Sequence, residues 1–339
     1  MSQLALSRAE PIAEPAFMCF DTGLSGLNLA LDPVELQSVL RAALSRSGAG
    51  DLPQMRVVGV EILKHRPGRR CSLAVSIERG GRRSRLFVKV FRGKRGARIR
   101  RVMRKLHGAL HRTETTRVPA PLHYDAVRGL LVTEFVEGAS VKRFLYGLDP
   151  EASARRIAVS LADLHACKVS LRRAWDVQDE LKTTARWIDE LAPPQARLAD
   201  ELLAALIAFT PRQAKQTPIH RDFYPEQLIT SGRSCYLLDL DDARMGDPAV
   251  DAGNFLAHLR LRAFEQPGRR AACAKARHAF ATTFLARSPG DRTLGERVDF
   301  YEAASLLRLA GVYAARETGA AHLPDSLLQA ARSKLDTLR

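Results

Sequence analysis

The sequence predicts an α+β fold of two lobes, in which a small antiparallel β-rich lobe precedes a larger, mainly helical lobe. Three runs rich in β-branched and aromatic residues follow one another between residues 55 and 91, and turn-forming residues separate them. Connections this short imply an antiparallel meander, because parallel strands need a longer crossover. After residue 138 the apolar residues recur mainly at helical spacing.

Residues 1–50 are predicted to form an N-terminal extension with one helix. The helix begins in "DPVELQSVLRAAL", where Asp32 can cap the first turn and Pro33 occupies the first helical position. Glu35 follows Asp32 by three residues and completes a capping box. This extension matches no pattern that indicates a function.

The β-rich lobe is assigned to residues 51–138. Its first strands are "MRVVGVEILKH", "RCSLAVSIE" and "RSRLFVKVF", separated by the turn-forming stretches "RPGR" and "RGGR". The segment "GARIRRVMRKLHGALHR" then predicts an amphipathic helix. Its apolar face consists of Ile99, Val102, Met103, Leu106 and Leu110. Two further strand-like runs, "APLHYD" and "GLLVTEFVEG", complete the lobe.

The helical lobe is assigned to residues 139–339. Helical spacing marks helices through Ile157, Leu161 and Leu164 and through Leu202, Leu203 and Leu206. The exception is the region 218–241, where "QLITSGRSCYLLDLD" predicts two short strands around a Ser-Gly turn. The lobe is therefore expected to carry a small β-hairpin.

Composition is that of a soluble globular protein, since 46% of the 339 residues are hydrophobic and 27% are charged. No apolar run reaches the roughly 18 residues of a membrane span, and the N-terminus lacks a basic segment followed by an apolar one. We expect a cytoplasmic protein with no membrane partner.

The formal net charge is +16 at pH 7. Either the summed field attracts a polyanionic partner, or an arginine-rich composition simply coats the surface. We favour the second explanation, so a nucleic-acid partner is not expected. Charge alone names no partner, and the oligomeric state stays open.

The stretch "PIHRDFYPEQLI" resembles the catalytic-loop pattern H-R-D-x-x-x-x-N of protein kinases, with Gln227 in place of Asn. Asp222 is a candidate to accept the proton of an attacking hydroxyl group. Gln227 and Asp239 are expected at the two ends of the predicted hairpin, where both could converge on Mg²⁺. Asp241 lies two residues beyond Asp239, so in an extended segment it would share that face as a second or outer ligand.

Together with the downstream "YLLDLDDARMGDPAVDAGNF", this stretch resembles the aminoglycoside phosphotransferase and choline kinase superfamily. Its members usually read H-x-D-x-x-x-x-N, then I-D-[WF]-[ED], then G-D-P-x-x-D. The matching residues are His220, Asp222, Asp239, Asp241, Gly246, Asp247, Pro248 and Asp251. The resemblance covers residues 55–330. It implies a bilobal protein-kinase-like fold, ATP and Mg²⁺ as cofactors, and phosphoryl transfer to a hydroxyl group of a small molecule.

The resemblance also implies phosphate-binding residues in the first lobe. "LFVKVF" places Lys89 in the third strand, where the kinase fold has the lysine that contacts the α- and β-phosphates. "LKHRPGRRCSLAV" resembles the Pro-Gly turn that replaces a glycine-rich loop in some members. Gly68 would let the backbone approach phosphate, with Arg69 or Arg70 nearby.

The segment "LLVTEFVEG" resembles the connector that holds adenine in this superfamily. Backbone groups near Glu134 and Val136 are therefore expected to bind the adenine ring. With Lys89, Gly68 and Arg70 they make up the expected nucleotide-binding residues.

Two departures from the family pattern bear on activity. Gln227 carries the same amide oxygen as Asn on a side chain one methylene longer, so the ligand geometry must adjust. The usual helical Glu partner of Lys89 is missing, because no acidic residue occurs between Lys89 and Glu114. An acid elsewhere, such as Asp239, could orient Lys89, or the nucleotide could do so on binding.

The leading hypothesis is an ATP- and Mg²⁺-dependent phosphotransferase with a small-molecule acceptor. The alternatives are a nucleotide-binding pseudokinase or regulator, a binder of nucleic acid or anionic surfaces, and a kinase acting on protein. The last lacks a counterpart of the D-F-G and A-P-E segment after Asp239.

Charge suggests the class of acceptor. The segment "HLRLRAFEQPGRRAACAKARHAF" contains only one acid, Glu265, against six cations, Arg260, Arg262, Arg269, Arg270, Lys275 and Arg277. If this surface faces the acceptor, a polycation would meet like charge, and a neutral or anionic hydroxyl compound is expected. If the arginines face away, they carry no information about the acceptor.

Overall fold

The computed structural model describes residues 21–45, 54–212, 214–316 and 321–338. They form two compact units: the first contains the described residues up to Arg100 together with Pro121–Phe135, and the second contains the rest. Among the described helices, none combines the length and apolarity that crossing a membrane requires.

The strands are β1 (Arg56–Arg66), β2 (Arg70–Arg79), β3 (Arg82–Phe91), β4 (Thr116–Arg117), β5 (Pro121–Asp125), β6 (Leu130–Glu134), β7 (Ala139–Ser140), β8 (Ala174–Trp175), β9 (Thr217–Ile219), β10 (Leu228–Ser231), β11 (Ser234–Leu237) and β12 (Arg244–Gly246). The α-helices are α1 (Leu27–Leu31), α2 (Pro33–Ser45), α3 (Arg95–Leu110), α4 (Pro150–Ala166), α5 (Val177–Ile188), α6 (Pro193–Ala208), α7 (Ala249–Glu265), α8 (Arg270–Ala286), α9 (Leu294–Ala314) and α10 (Leu323–Asp336).

The first unit is built on a five-stranded sheet in the order β1-β2-β3-β6-β5. Each neighbouring pair in it is antiparallel, so the predicted meander is confirmed. The turn between β1 and β2 has Gly68 at φ +65°, a left-handed conformation that glycine adopts without steric cost. The pattern thus located the turn as well as the strands.

Residues 21–45 do not form the separate extension with one helix that the sequence predicted. They contain two helices, and Leu27, Leu36 and Leu40 pack in the same buried cluster as Val75 and Val88 of the sheet. The apolar face of α2 packs against the sheet, a contact between distant residues that the local sequence pattern does not indicate. The remainder of the predicted extension lies outside the described residues.

Asp32 caps α2 as predicted, but its own N–H donates to the carbonyl oxygens of Asn28 and Leu29, so Glu35 does not complete the predicted capping box. Asp32 Oδ1 accepts hydrogen bonds from the backbone N–H groups of Val34 at 2.8 Å and Glu35 at 3.1 Å. A carboxylate at this position satisfies donors that have no partner within the helix.

The boundary between the units also differs from the expected one at residue 138. The first unit ends within α3, after Arg100. The chain returns to the first unit at Pro121–Phe135, and all described residues from Val136 onward belong to the second unit. The predicted apolar face of α3 is buried from Ile99, at 1% exposure, to Leu110, at 0%.

The second unit carries two small sheets among its helices, with the orders β4-β11-β10-β7 and β8-β12-β9. β10 and β11 form the predicted hairpin, and Gly232 in its turn has φ +57°. Phe223, Phe255 and Phe280 pack their rings in series beneath the loop that follows β9. The sequence motifs therefore lie on loops between short strands, supported from below by an aromatic core.

Candidate active site

The loop that carries Asp222 is held by a buried carboxylate at the start of α7. Asp251, in the first turn of α7, accepts from the N–H of His220 through Oδ2 at 2.8 Å and from the N–H of Arg221 through Oδ1 at 2.7 Å. Arg221 has φ +70°, which is unusual for a residue other than glycine. His165 Nε2 lies 3.0 Å from Asp251 Oδ2. Asp251 therefore fixes the backbone turn that presents Asp222.

His220 links this loop to the strand that precedes Asp239. Its Nε2 donates to the carbonyl oxygen of Leu238 at 2.7 Å, and its ring packs edge-on against Phe223. The side chain is fully buried. These contacts give His220 a structural role in the loop.

Gln227 precedes β10 and Asp239 follows β11, so the two chain ends of the hairpin, where the sequence predicted these residues, lie side by side. Leu228 pairs with Leu237, and the N–H of Leu238 donates to the carbonyl oxygen of Gln227 at 2.9 Å. The amide of Gln227 donates from Nε2 to the hydroxyl of Tyr224 at 3.0 Å. Because the amide nitrogen is used in this bond, the amide oxygen is the group that Gln227 can offer to a metal ion.

The backbone from Asp239 to Asp241 is not extended, contrary to the sequence prediction. Asp239 has φ +51°, and Leu240–Asp242 form a 3-10 turn instead of an extended segment. The alternation of a strand therefore does not apply, and Asp241 is buried at 2% exposure. The turn leads into β12, which pairs with β9 and β8. The expectation of an extended segment is wrong, while the assignment of Asp241 as a metal ligand stays a prediction.

The electrostatics of the loop favour a basic Asp222. Burial raises the pKa of Asp222 above its ordinary value and the charge of Asp239 adds to this shift, while His220 and Arg308 oppose it. A carboxylate with a raised pKa binds a proton more readily, which suits a group that accepts one. Burial, with the nearby charge of Asp222, also raises the pKa of Tyr224 to about 12, so its hydroxyl stays protonated.

His258 lies beside the same loop, and positively charged side chains act on its pKa. Its ring stacks on Tyr224 with centroids 4.5 Å apart. Burial lowers its pKa to about 3, and the charges of Arg308, Arg262 and Arg316 act in the same direction. The imidazole is therefore neutral at physiological pH, in a region dominated by guanidinium groups.

Sequence reasoning missed Asn254 and Arg308. Asn254 Nδ2 donates to the carbonyl oxygen of Phe223 at 3.0 Å, and Arg308 donates to Asn254 Oδ1 at 2.8 Å. Asn254 is three residues after Asp251, so helical spacing could have placed both on one face of α7. Arg308 is 54 residues further along the chain from Asn254, and no local pattern indicates it.

Asp247 lies just before α7 and bonds to the first residue of that helix. Its Oδ1 accepts from the N–H of Ala249 at 2.9 Å. Its Oδ2 also pairs with the buried Arg297 at 2.8 Å, which anchors the start of α7 to α9.

The arginine run after the metal motif does not form one surface. Arg260 and Arg277 both lie 2.7 Å from Oε1 of the fully buried Glu302. At 3.6 residues per turn, Arg260 projects from the side of α7 opposite His258. Arg262 lies near His258 in this projection, and it pairs with Glu226 of the catalytic-loop segment at 3.1 Å. The cations of this run therefore do not all face the same side of α7.

In the first unit, Lys89 lies on β3 opposite Ser72 and Leu131. Its side chain is 8% exposed, and Nζ lies 5.9 Å from the ring centroids of both Phe87 and Phe91. The strand position is that expected from the resemblance. The adjacent helix α3 contains no acidic residue.

The other expected nucleotide residues are distributed along the chain. Gly68 occupies the β1–β2 turn, Arg70 begins β2, and Glu134 ends β6. Val136 follows β6 and belongs to the second unit, as do Asp222, Gln227 and Asp239.

A sequence model of the phosphotransferase enzyme family matches residues 73–290, so the chain belongs to that family. The family match makes it a phosphotransferase by class. The predicted resemblance and enzyme class are confirmed. A search of curated proteins finds no match.

Solved structures show the same fold at low sequence identity. Choline kinase from Cryptosporidium parvum Iowa II superposes with a TM-score of 0.61 and 12% identity, covering 91% of this chain and 96% of that one. Amicoumacin kinase, in complex with AMP-PNP and Ca²⁺, gives 0.60 and 12%, covering 90% and 99%. A fructosamine-3-kinase-like protein from Thermobifida fusca gives 0.52 and 18%, covering 87% and 99%. The predicted protein-kinase-like fold is therefore confirmed.

Proposed function

We propose that the protein transfers the γ-phosphoryl group of ATP to a hydroxyl group of a small neutral or anionic molecule, with Asp222 as the base. The observation that carries this proposal is the arrangement of three oxygen-bearing side chains on neighbouring loops. Asp222 follows the turn held by Asp251, and Gln227 and Asp239 lie together at one end of the hairpin. Phosphoryl transfer requires a positioned base beside metal ligands.

Gln227 and Asp239 are the residues that would hold Mg²⁺. The described residues contain no group of three His, Cys, Asp or Glu side chains suited to a metal ion. A pair of oxygen ligands is nevertheless adequate, because Mg²⁺ usually binds one or two carboxylates and completes its coordination with water and phosphate oxygens. When bound, the ion would offset charge on the nucleotide phosphates. We do not include the buried Asp241 among the residues that would bind Mg²⁺ directly.

The protein's own contribution is positioning. Asp222 would accept the proton of the acceptor hydroxyl and orient that oxygen toward the phosphoryl group. Lys89 would bind the α- and β-phosphates, while Gly68 and Arg70 would contribute from the β1–β2 turn. Backbone groups near Glu134 and Val136 would hold adenine. The presence of AMP-PNP in the amicoumacin kinase structure supports a nucleotide of this class.

The metal assignment predicts opposite effects for two substitutions. Asp239→Ala should weaken Mg²⁺-dependent ATP binding, because a carboxylate ligand is lost. Gln227→Asn should preserve or improve it, because it restores the amide length that the family pattern has. Calorimetric titration of each variant with ATP, with and without Mg²⁺, measures both effects. Unchanged MgATP affinity in both variants would show that the metal site lies elsewhere.

The charges around His258 support the proposed acceptor class. Arg308, Arg262 and Arg316 all act on its pKa, and Arg308 also acts on that of Asp222. Glu226 and Glu180 offset part of this charge through pairs with Arg262 and Arg308. A polycationic acceptor would be repelled near contact, whereas a carboxylate or phosphate group would be attracted.

An acceptor screen tests this charge argument. Sugars, hydroxy acids and phosphorylated alcohols should be phosphorylated in preference to kanamycin-like polyamines and choline. Raising the salt concentration should reduce the preference for anionic acceptors. Faster transfer to the polyamines at low salt would refute the proposed acceptor class.

One observation favours a second function, nucleotide binding without efficient transfer. The helix α3 contains no acidic residue, so it does not supply the Glu that the family pattern places on this helix. In that case MgATP would bind while no acceptor of any charge received phosphate. A protein that binds MgATP and transfers to an acceptor from the screen excludes this alternative.

A further inference from the structure

The carboxylate of Asp21 lies on the turn between β1 and β2. Asp21 Oδ2 accepts a hydrogen bond from the N–H of Gly68 at 2.9 Å and lies 2.8 Å from Nε2 of His65. Asp21 Oδ1 accepts from the N–H of Gly23 at 3.0 Å. The side chain of Asp21 is only 7% exposed. An anionic group thus already occupies the turn that the family resemblance associates with phosphate.

Gly68 supplies the N–H of this turn that points to a partner outside it. Pro67 has no N–H, and the N–H of Arg69 donates within the turn to the carbonyl oxygen of Arg66 at 3.0 Å. Gly68 is in the left-handed conformation, and its N–H donates to the carboxylate of Asp21. A phosphate that uses this donor must replace the carboxylate.

Close backbone packing seats the segment from Asp21 to Gly26 on the first unit. A Cβ atom at Gly23 would lie 2.7 Å from the Cα of Gly68, and one at Gly26 would lie 2.1 Å from the carbonyl oxygen of Arg128. Leu24 is buried at 1% exposure in the core of the unit. Close packing of this segment therefore holds the carboxylate of Asp21 against the turn.

We propose that Asp21 acts as an internal competitor for the nucleotide phosphates, with its carboxylate occupying the Gly68 N–H until MgATP displaces it. This inference rests on the proposed function, which assigns the β1–β2 turn to phosphate. Two anions cannot share one N–H donor, and their charges repel at this distance. The hydrogen bond from Gly68, followed by that from His65, lowers the pKa of Asp21, so the carboxylate is charged at neutral pH.

Competition of this kind lowers the apparent affinity for phosphate-bearing ligands only. Part of the binding energy of the nucleotide is used to displace Asp21, so only the fraction of molecules with a vacated turn binds at full affinity. Removing the charge with Asp21→Asn should tighten MgATP binding. Asp21→Ala, which also removes the acceptor, should tighten it further, by about tenfold over wild type.

The test is a calorimetric titration of the full chain with MgATP and, separately, with adenosine. Asp32→Asn is the matched control, because Asp32 follows that segment in the first unit and its carboxylate accepts from the N–H groups of Val34 and Glu35 at the start of α2. MgATP should bind more tightly to both Asp21 variants and equally to wild type and the control. Adenosine, which has no phosphate, should bind all four proteins equally.

His65→Gln provides an independent variant that leaves the segment's sequence intact. It removes the imidazole that lies 2.8 Å from Asp21 Oδ2 and should tighten MgATP binding by a smaller factor. The competition is refuted if the Asp21 variants bind MgATP as wild type does or more weakly, or if adenosine affinity rises equally. If adenosine and MgATP bind to none of the proteins, the proposed function itself fails, and the competition fails with it.

Discussion

Replacing Asp222 with Asn is expected to reduce phosphoryl transfer by about 10²-fold or more while leaving ATP binding nearly unchanged. The substitution removes the group that accepts the hydroxyl proton, and a loss of this size is typical for a positioned base. Nucleotide affinity should persist, because Lys89, Gly68 and the proposed metal ligands remain. Initial rates of transfer to the best acceptor from the screen, with parallel MgATP titrations, measure both quantities.

Asp200→Asn is the matched control for this prediction, since Asp200 lies on an exposed face of α6 and the chemical change is the same. It should transfer phosphate at the wild-type rate. A wild-type turnover rate in Asp222→Asn would show that Asp222 is not the base. A parallel loss of MgATP binding would instead indicate that Asp222 supports the nucleotide site.

Replacing Asp251 with Asn should destabilise the second unit by about 3–5 kcal/mol and abolish transfer. Asp251 is fully buried and receives the N–H groups of His220 and Arg221, with His165 Nε2 at 3.0 Å. An amide would direct its NH₂ group at one of these donors and would leave them without the carboxylate charge. The strained turn at Arg221 would lose its support, and Asp222 would lose its position.

Urea denaturation of the full chain measures the loss of stability. Asp149→Asn is the matched control, because Asp149 caps α4 at the surface and Asn caps nearly as well. The control should unfold at the wild-type urea concentration, whereas Asp251→Asn should unfold at a clearly lower one. Equal midpoints for Asp251→Asn and wild type would mean that Asp251 does not hold the loop.

The parts of the site that the sequence predicted are those set by local geometry. A Ser-Gly turn between two short apolar runs fixes the hairpin register, and the register brings Gln227 and Asp239 to one end. The position of Lys89 follows in the same way from a meander with tight turns. Short loops leave few alternatives, so patterns of adjacent residues are sufficient there.

The parts that the sequence did not predict depend on distant contacts or on single backbone angles. The segment from Asp239 to Asp241 was predicted to be extended, but the left-handed angle of Asp239 ends the strand, and Asp is a residue that tolerates either conformation. Arg308 reaches Asn254 from another helix, and Asp21 reaches Gly68 across 47 residues. Contacts of this range leave no periodic signal in the sequence.

The central claim, that this chain is an ATP- and Mg²⁺-dependent phosphotransferase, is tested most directly by one experiment on the wild-type protein. The purified chain is titrated with ATP in the presence and absence of Mg²⁺, and slow release of the γ-phosphate to water is then followed without an acceptor. The proposed function predicts that ATP binds, that Mg²⁺ strengthens the binding, and that γ-phosphate is released only when Mg²⁺ is present. Failure to bind ATP under either condition, or tight MgATP binding with no γ-phosphate release at any protein concentration, would contradict it.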